Sequence, residues 1–165
     1  MPIAIDWVDQ CKETARSIVV ETPAGRLLLT VCGDVIINMD WVVDSNSPMS
    51  SDNQWQNLFD AYWHDRDKPI AVKLLMQGTP YRRRVWAELC RIPFGETRSY
   101  AALAKNLASS PRAVGNACRD NPYAPIIPCH RVVSASGLGG YCGATGGALL
   151  DIKIKLLRFE AEHCR

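Results

Sequence analysis

Ser99-Tyr100-Ala101-Ala102-Leu103-Ala104-Lys105-Asn106-Leu107 and, two residues later, Ser110-Pro111-Arg112-Ala113-Val114-Gly115-Asn116-Ala117-Cys118 decide the architecture of the second half of this chain. In the first run Tyr100, Leu103, Ala104 and Leu107 recur at spacings of three and four, which places them on one helical face. Ser110-Pro111 restarts a helix, because a serine side chain caps free N–H groups and proline loses nothing at a first helical position. Two short helices across a tight polar turn make a helix-turn-helix pattern, one that many helix pairs share.

Outward from this pair the signals stay helical as far back as Gln77-Gly78, where the domain boundary is expected. Thr79 caps and Pro80 opens a helix whose stripe is Tyr81, Val85, Trp86 and Leu89, ending at Pro93-Phe94-Gly95. Downstream, Asn121-Pro122-Tyr123-Ala124-Pro125-Ile126-Ile127-Pro128 carries a proline at every third position and reads as extended and non-helical. It delivers Cys129-His130-Arg131-Val132-Val133 to a loop containing Gly137, Gly139, Gly140, Gly143, Gly146 and Gly147. Asp151 to Glu162 closes the chain as a helix with Leu149, Ile152, Leu156 and Leu157 inward.

The first half reads differently. Ser17–Glu21, the turn Thr22-Pro23-Ala24-Gly25 and Arg26–Cys32 form a hairpin, and Val35–Val43 follows Gly33-Asp34 as a third strand. A small antiparallel sheet results, then a loop from Asp44 to Asn53 and an amphipathic helix through Trp55, Leu58, Phe59, Tyr62 and Trp63. The expected fold class is α/β in the α+β sense, with a sheet-containing domain over 1–76 and a helical domain over 77–165.

With 165 residues, 47% hydrophobic and 22% charged, the composition is that of an ordinary globular protein and excludes disordered, collagen-like and coiled-coil classes. No apolar run approaches the roughly 18 residues that span a bilayer, and Met1–Asp6 lacks the basic start of a signal peptide, so a cytoplasmic protein is expected. The 7 cysteines are odd in number and form no CxxC pair, which points to reduced thiols. Residues 1–76 hold 6 basic and 11 acidic side chains, a net −5, against 13 and 6, a net +7, in 77–165. A basic half suits a polyanion, although a merely solvated face has the same composition.

Cys129 beside His130 on a proline-stiffened segment is the candidate nucleophile, since a thiol reacts as thiolate and needs a base, a cation or a helix N-terminus to become one. Neighbours on an extended strand point opposite ways, so a local turn or a bridging water is required for contact. On the dipeptide alone the plainer reading, a buried cysteine beside a surface histidine, is favoured. His64, His130 and His163 have no metal-ligand spacing, so no metal is expected.

Pro128-Cys129-His130-Arg131-Val132 resembles the alkyl-acceptor motif of the O6-alkylguanine-DNA alkyltransferases, and neighbouring segments match in order. Ile92-Pro93-x-Gly95-Glu96-x-x-Ser99-Tyr100-x-x-Leu103-Ala104 resembles that family's first DNA-binding helix and its approach. Arg112-Ala113-Val114-Gly115 with Asn121-Pro122 resembles the recognition helix and hinge, and Lys153-x-x-Leu156-Leu157-x-x-Glu160 the final helix. The match runs from about residue 77 to 162, with only a loose likeness before it to a small ribonuclease-H-like sheet opening near Thr22-Pro23-Ala24-Gly25.

The resemblance implies that Cys129 takes a methyl or small alkyl group from guanine O6 in duplex DNA, with O4 of thymine as an alternative, in one irreversible event that consumes the protein. It implies a proton relay from the thiol through water to His130, held by Glu160, and a hydrogen bond from Tyr100 to the flipped base. Arg112 fills the gap in the base stack, Ala113 and Gly115 allow close approach in the minor groove, and Asn121 ties the recognition helix to the active-site segment. Val132, Tyr141 and Cys142 line the base pocket. A monomer acting on duplex DNA without cofactor, metal or membrane follows, cytoplasmic and nucleoid-associated in a bacterium or nuclear in a eukaryote.

Three departures stand out. Cys142 replaces a frequent serine, Ala161 a usual glycine, and Cys11, Cys32 and His64 do not complete the zinc set of some relatives. Two other classes fit parts of the sequence: a non-catalytic damage sensor, which would lack the acceptor cysteine, and a cysteine hydrolase on Cys129 and His130, which would need an oxyanion hole and repeated turnover.

Overall fold

The computed structural model describes residues 3–44, 50–65 and 67–164. The chain divides into two compact units, Met1–Gln77 and Gly78–Arg165.

The first unit is built on a mixed five-stranded sheet. Its strands are β1 (Ile3–Val8), β2 (Ala15–Thr22), β3 (Gly25–Cys32), β4 (Val35–Trp41) and β5 (Ile70–Leu75), with helix α1 (Asn53–His64) between β4 and β5. The expected antiparallel meander is β2-β3-β4, with Val20 opposite Leu27 and Leu29 opposite Met39. The sheet is larger and no longer purely antiparallel, because β5 joins β4 in parallel and β1 joins β5 in parallel, Ile3 opposite Ile70. In both added strands the burial alternates along most of the strand, with Ala4, Asp6, Ala71 and Lys73 on the exposed face. Asp52 caps α1 through the N–H groups of Gln54 and Trp55, and Trp55, Phe59 and Trp63 are its buried stripe. The loop expected from Asp44 to Asn53 lies in part, at 45–49, outside the described residues.

One cysteine expectation is corrected in this unit: Cys11 and Cys32 are joined in a disulfide. The β2-β3 register puts Cys32 opposite Ala15, so the segment entering β2 brings Cys11 to the same strand end.

The second unit packs α2 (Pro80–Leu89), α3 (Tyr100–Asn106), α4 (Pro111–Arg119) and α5 (Gly147–His163), with a two-stranded parallel pair β6 (Arg98–Ser99) and β7 (Val132–Val133). Thr79, Ser99 and Ser110 cap α2, α3 and α4 by accepting from the N–H three residues on. Trp86 Nε1 donates to the Ala117 carbonyl at 2.9 Å and Arg82 pairs with Asp120 at 2.7 Å, which fixes α2 against α4. Helix α5 starts at Gly147, four residues before the expected Asp151, and ends at His163, one residue beyond the expected Glu162.

The proline segment is non-helical but turned rather than extended. Asn121 Oδ1 accepts from the Tyr123 N–H at 2.9 Å while its Nδ2 donates to the Ile127 carbonyl at 2.8 Å, folding the segment around one side chain. The Ala124–Pro125 peptide is cis.

Candidate active site

Those asparagine bonds aim the chain into a 3₁₀ turn, Cys129–Arg131, all of whose side chains are buried. Cys129 lies at a cavity of about 220 Å³ walled by Tyr100 of α3, Gly115 and Cys118 of α4, and Tyr141, Cys142 and Gly143 of the glycine-rich loop. The cysteine is 3% exposed.

Behind the turn sits a buried polar cluster. His130 is fully buried, where the dipeptide alone suggested a surface residue. Its Nε2 lies 2.7 Å from Glu160 Oε1, and its Nδ1 is buried with no hydrogen-bond partner among the described residues. Burial holds the His130 pKa below the usual imidazole value in spite of the raising effect of Glu160, so the ring is neutral at pH 7. A neutral ring that donates from Nε2 to a carboxylate keeps its lone pair on Nδ1, which makes Nδ1 the proton acceptor.

Arg131 was quoted in the sequence motif without a role, and the structure gives it one. Its Nε reaches both Glu160 oxygens at 3.0 Å, Nη2 reaches Oε1 at 2.7 Å, and Nη1 donates to the Ile92 carbonyl at 2.7 Å. Its guanidinium also stacks 5.4 Å from the Phe94 ring centroid. Burial pushes the Glu160 pKa up, but the hydrogen bonds and charges of His130 and Arg131 outweigh it and bring the value down to about 2.

Lys153, on the buried face of α5, is the second residue that sequence reasoning left without a function. Its Nζ donates to the carbonyls of Val132, Leu138 and Gly140 at 2.6, 2.7 and 2.9 Å, three donors against three acceptors. Burial lowers its pKa to about 8, against the raising effect of Cys129 and Cys118. The signal for Lys153 was a charged side chain on an otherwise apolar helix face, since Lys153, Leu156 and Glu160 are spaced three and four apart.

Of these groups, Lys153 acts on the Cys129 sulfur through its charge. The Cys129 pKa lies below the usual thiol value, first through a hydrogen bond from Cys142, against burial, with a hydrogen bond from Asn121 and the Lys153 charge adding to it. Burial drives the neighbouring Cys118 thiol well up and Tyr100 to about 12, so both stay protonated. Of the thiols of Cys118 and Cys129 at this cavity, the environment favours ionising Cys129.

The other anticipated residues are placed as follows. Tyr100, Gly115, Tyr141 and Cys142 line the cavity, whereas Asn121 supports the turn beneath it. Val132 is buried below, in β7, with its carbonyl on Lys153. Arg112 is exposed and Ala113 half-buried on the first turn of α4, outside the cavity. His130 and Glu160 stand behind Cys129 rather than in the cavity wall.

The family model for the DNA-binding domain of 6-O-methylguanine DNA methyltransferase matches residues 80–162. A methylated-DNA–protein-cysteine methyltransferase of Methanosarcina mazei is 43% identical over 129 residues, 76% of this chain and 76% of its own length. The chain belongs to the O6-methylguanine-DNA methyltransferase family. The Mycobacterium leprae methylated-DNA–protein-cysteine methyltransferase is 37% identical over 151 residues, covering 85% of this chain and 88% of that one. The fold also matches the crystal structure of Mycobacterium tuberculosis OGT in complex with DNA, with a TM-score of 0.72 at 33% identity over 88% of this chain and 93% of that one. Against a crystal structure of the Mycobacterium tuberculosis O6-methylguanine methyltransferase the TM-score is 0.74 at 31% identity, over 92% of this chain and 96% of that one. In this family member no helix of the described residues is long and apolar enough to cross a membrane.

Proposed function

We propose that this methyltransferase repairs O6-alkylguanine in duplex DNA by moving the alkyl group to Cys129, once per molecule. The observation that carries the reading is a buried cysteine, favoured as thiolate, on the wall of a cavity, with a neutral histidine locked to a carboxylate behind it. The thiolate sulfur attacks the alkyl carbon, an S–C bond forms as the C–O6 bond breaks, and the electron pair leaves on guanine. The thiol proton travels through water to His130 Nδ1, and Tyr100, held protonated, donates to the flipped base as it accepts negative charge. The thioether has no route back, so the protein is spent. No cofactor is needed, because the group passes directly between two atoms.

Helices α3 and α4 act as the helix-turn-helix, with Arg112, Ala113 and Gly115 on the minor-groove side and Arg112 filling the space of the extruded base. Residues 77–165 form the DNA-binding and acceptor domain and 1–76 a supporting domain. The protein works as a monomer, on the nucleoid of a prokaryote or in a eukaryotic nucleus.

Titration with excess O6-benzylguanine tests this: one guanine released per protein is expected, while release continuing beyond one equivalent would indicate a turning-over hydrolase.

A further inference from the structure

One wall of the cavity is a two-residue turn. Tyr141 N–H donates to the Ala144 carbonyl at 2.8 Å and Ala144 N–H to the Tyr141 carbonyl at 2.9 Å, which closes the turn on itself. Both residues inside it are left-handed, Cys142 at φ 51° and Gly143 at φ 83°. Two successive positive φ angles suit glycine or asparagine, and a cysteine Cβ is opposed there by its own backbone. The turn's conformation therefore gives no reason for a cysteine. Its position does: Cys142 and Cys129 line the same cavity, and the Cys142 side chain hydrogen-bonds the Cys129 sulfur. The turn is also fixed at its root, where Lys153 grips the Gly140 carbonyl at 2.9 Å.

We propose that Cys142 is a positioning residue for the alkyl transfer, its S–H donating to the Cys129 sulfur and holding it as the thiolate that attacks. This rests on the reading of Cys129 as alkyl acceptor. An S–H is a weak donor toward a neutral group, but a charged acceptor strengthens the bond. The other groups around Cys129 do not duplicate it. Lys153 on α5 acts through its charge while its three donors are used on carbonyls, and Asn121 supplies a second hydrogen bond from the segment that leads into the turn. Tyr100 on α3 and Cys118 on α4 stay protonated and are disfavoured from ionising by the Cys129 charge. His130, next on the turn, directs Nε2 to Glu160.

The test is the pH dependence of Cys129 alkylation by iodoacetamide, mapped by peptide mass spectrometry under reducing conditions, in the wild type and in Cys142→Gly, Cys142→Ala and Cys142→Ser. Benzyl transfer from O6-benzylguanine is measured alongside. Cys142→Gly and Cys142→Ala should raise the midpoint by about one pH unit and slow alkylation at pH 7 about tenfold, since a tenfold smaller fraction is thiolate. Cys142→Ser should stay near the wild-type midpoint, because a hydroxyl donates too. Glycine relieves the positive φ, so a merely structural cysteine predicts a sound turn and an unmoved midpoint. An unmoved midpoint in the glycine and alanine variants, with benzyl transfer to Cys129 intact, overturns the proposal and leaves the acceptor reading standing. A serine midpoint displaced as far as that of glycine also overturns it. Failure of the wild type to take the benzyl group on Cys129 would overturn the acceptor reading itself.

Discussion

His130 and Glu160 are locked to each other through Nε2 and Oε1 at 2.7 Å, with both side chains buried. The carboxylate thereby chooses the tautomer and leaves Nδ1 as the ring's only basic site. Glu160 is in turn held by Arg131, so the orientation of the base depends on a three-residue cluster spanning the acceptor turn and α5.

Glu160→Gln should lose transfer by at least about tenfold and lower stability together. An amide can accept from His130 but leaves the buried Arg131 guanidinium uncompensated, a change that typically costs about 3–5 kcal/mol. Transfer rate and urea midpoint measured on the same preparation check it, and unaltered values for both would contradict the cluster's role.

Acid should unfold the protein in two overlapping steps. The folded His130 pKa lies below the ordinary value, so the unfolded chain binds the extra proton and stability declines as pH falls below about 6.5. Glu160, at about 2 instead of 4.5, contributes stability that is complete above pH 4.5 and lost on descending toward pH 2. Its share is about 3 kcal/mol. Urea unfolding at pH 7.5, 5.5 and 4.0 should show a steady fall, and His130→Gln should remove the upper step. A stability maximum below pH 5 would contradict the account.

Lys153→Met should slow transfer about tenfold or more and cost roughly 2–4 kcal/mol, because three carbonyls, one buried and two part-buried, lose their donors at once. Those carbonyls set β7 and the root of the cavity turn, so fluorescence-detected melting and the rate on O6-benzylguanine should fall together. A variant with normal stability but no transfer would mean that the Lys153 charge alone matters.

Arg112→Ala should slow repair of duplex about tenfold while changing the rate on free O6-benzylguanine less than about twofold, since only the duplex requires a base to be extruded. Arg112 is exposed on α4, away from the cavity, so its loss should leave the reacting groups undisturbed. Equal losses on the two substrates would contradict this role.

Much of this was readable from the chain, and what was not has physical causes. Thr79-Pro80 and Ser110-Pro111 announced α2 and α4 because cap and first-position chemistry are local. The β2-β3-β4 meander followed from turns between β-branched runs. Strands β1 and β5 were hidden because they are short, interrupted by Asp6 and Lys73, and pair in parallel across more than sixty residues of chain. The Cys11–Cys32 disulfide depends on strand register, which cysteine spacing does not encode. In the candidate site the motif drew attention to Cys129, His130 and Glu160, but Arg131 and Lys153 act through backbone carbonyls and a shared carboxylate that only the folded chain assembles. Cys142 was visible as an odd residue, and its place at the cavity, with its side chain on the Cys129 sulfur, gives the oddity a reason.

The most direct measurement is to incubate a known amount of protein with duplex DNA carrying O6-methylguanine labelled in its methyl group, and to map the label by mass spectrometry. The account predicts one labelled methyl per protein, on Cys129, and none in Cys129→Ser. Label on another residue, or tight binding of the lesion with no label at all, would contradict it.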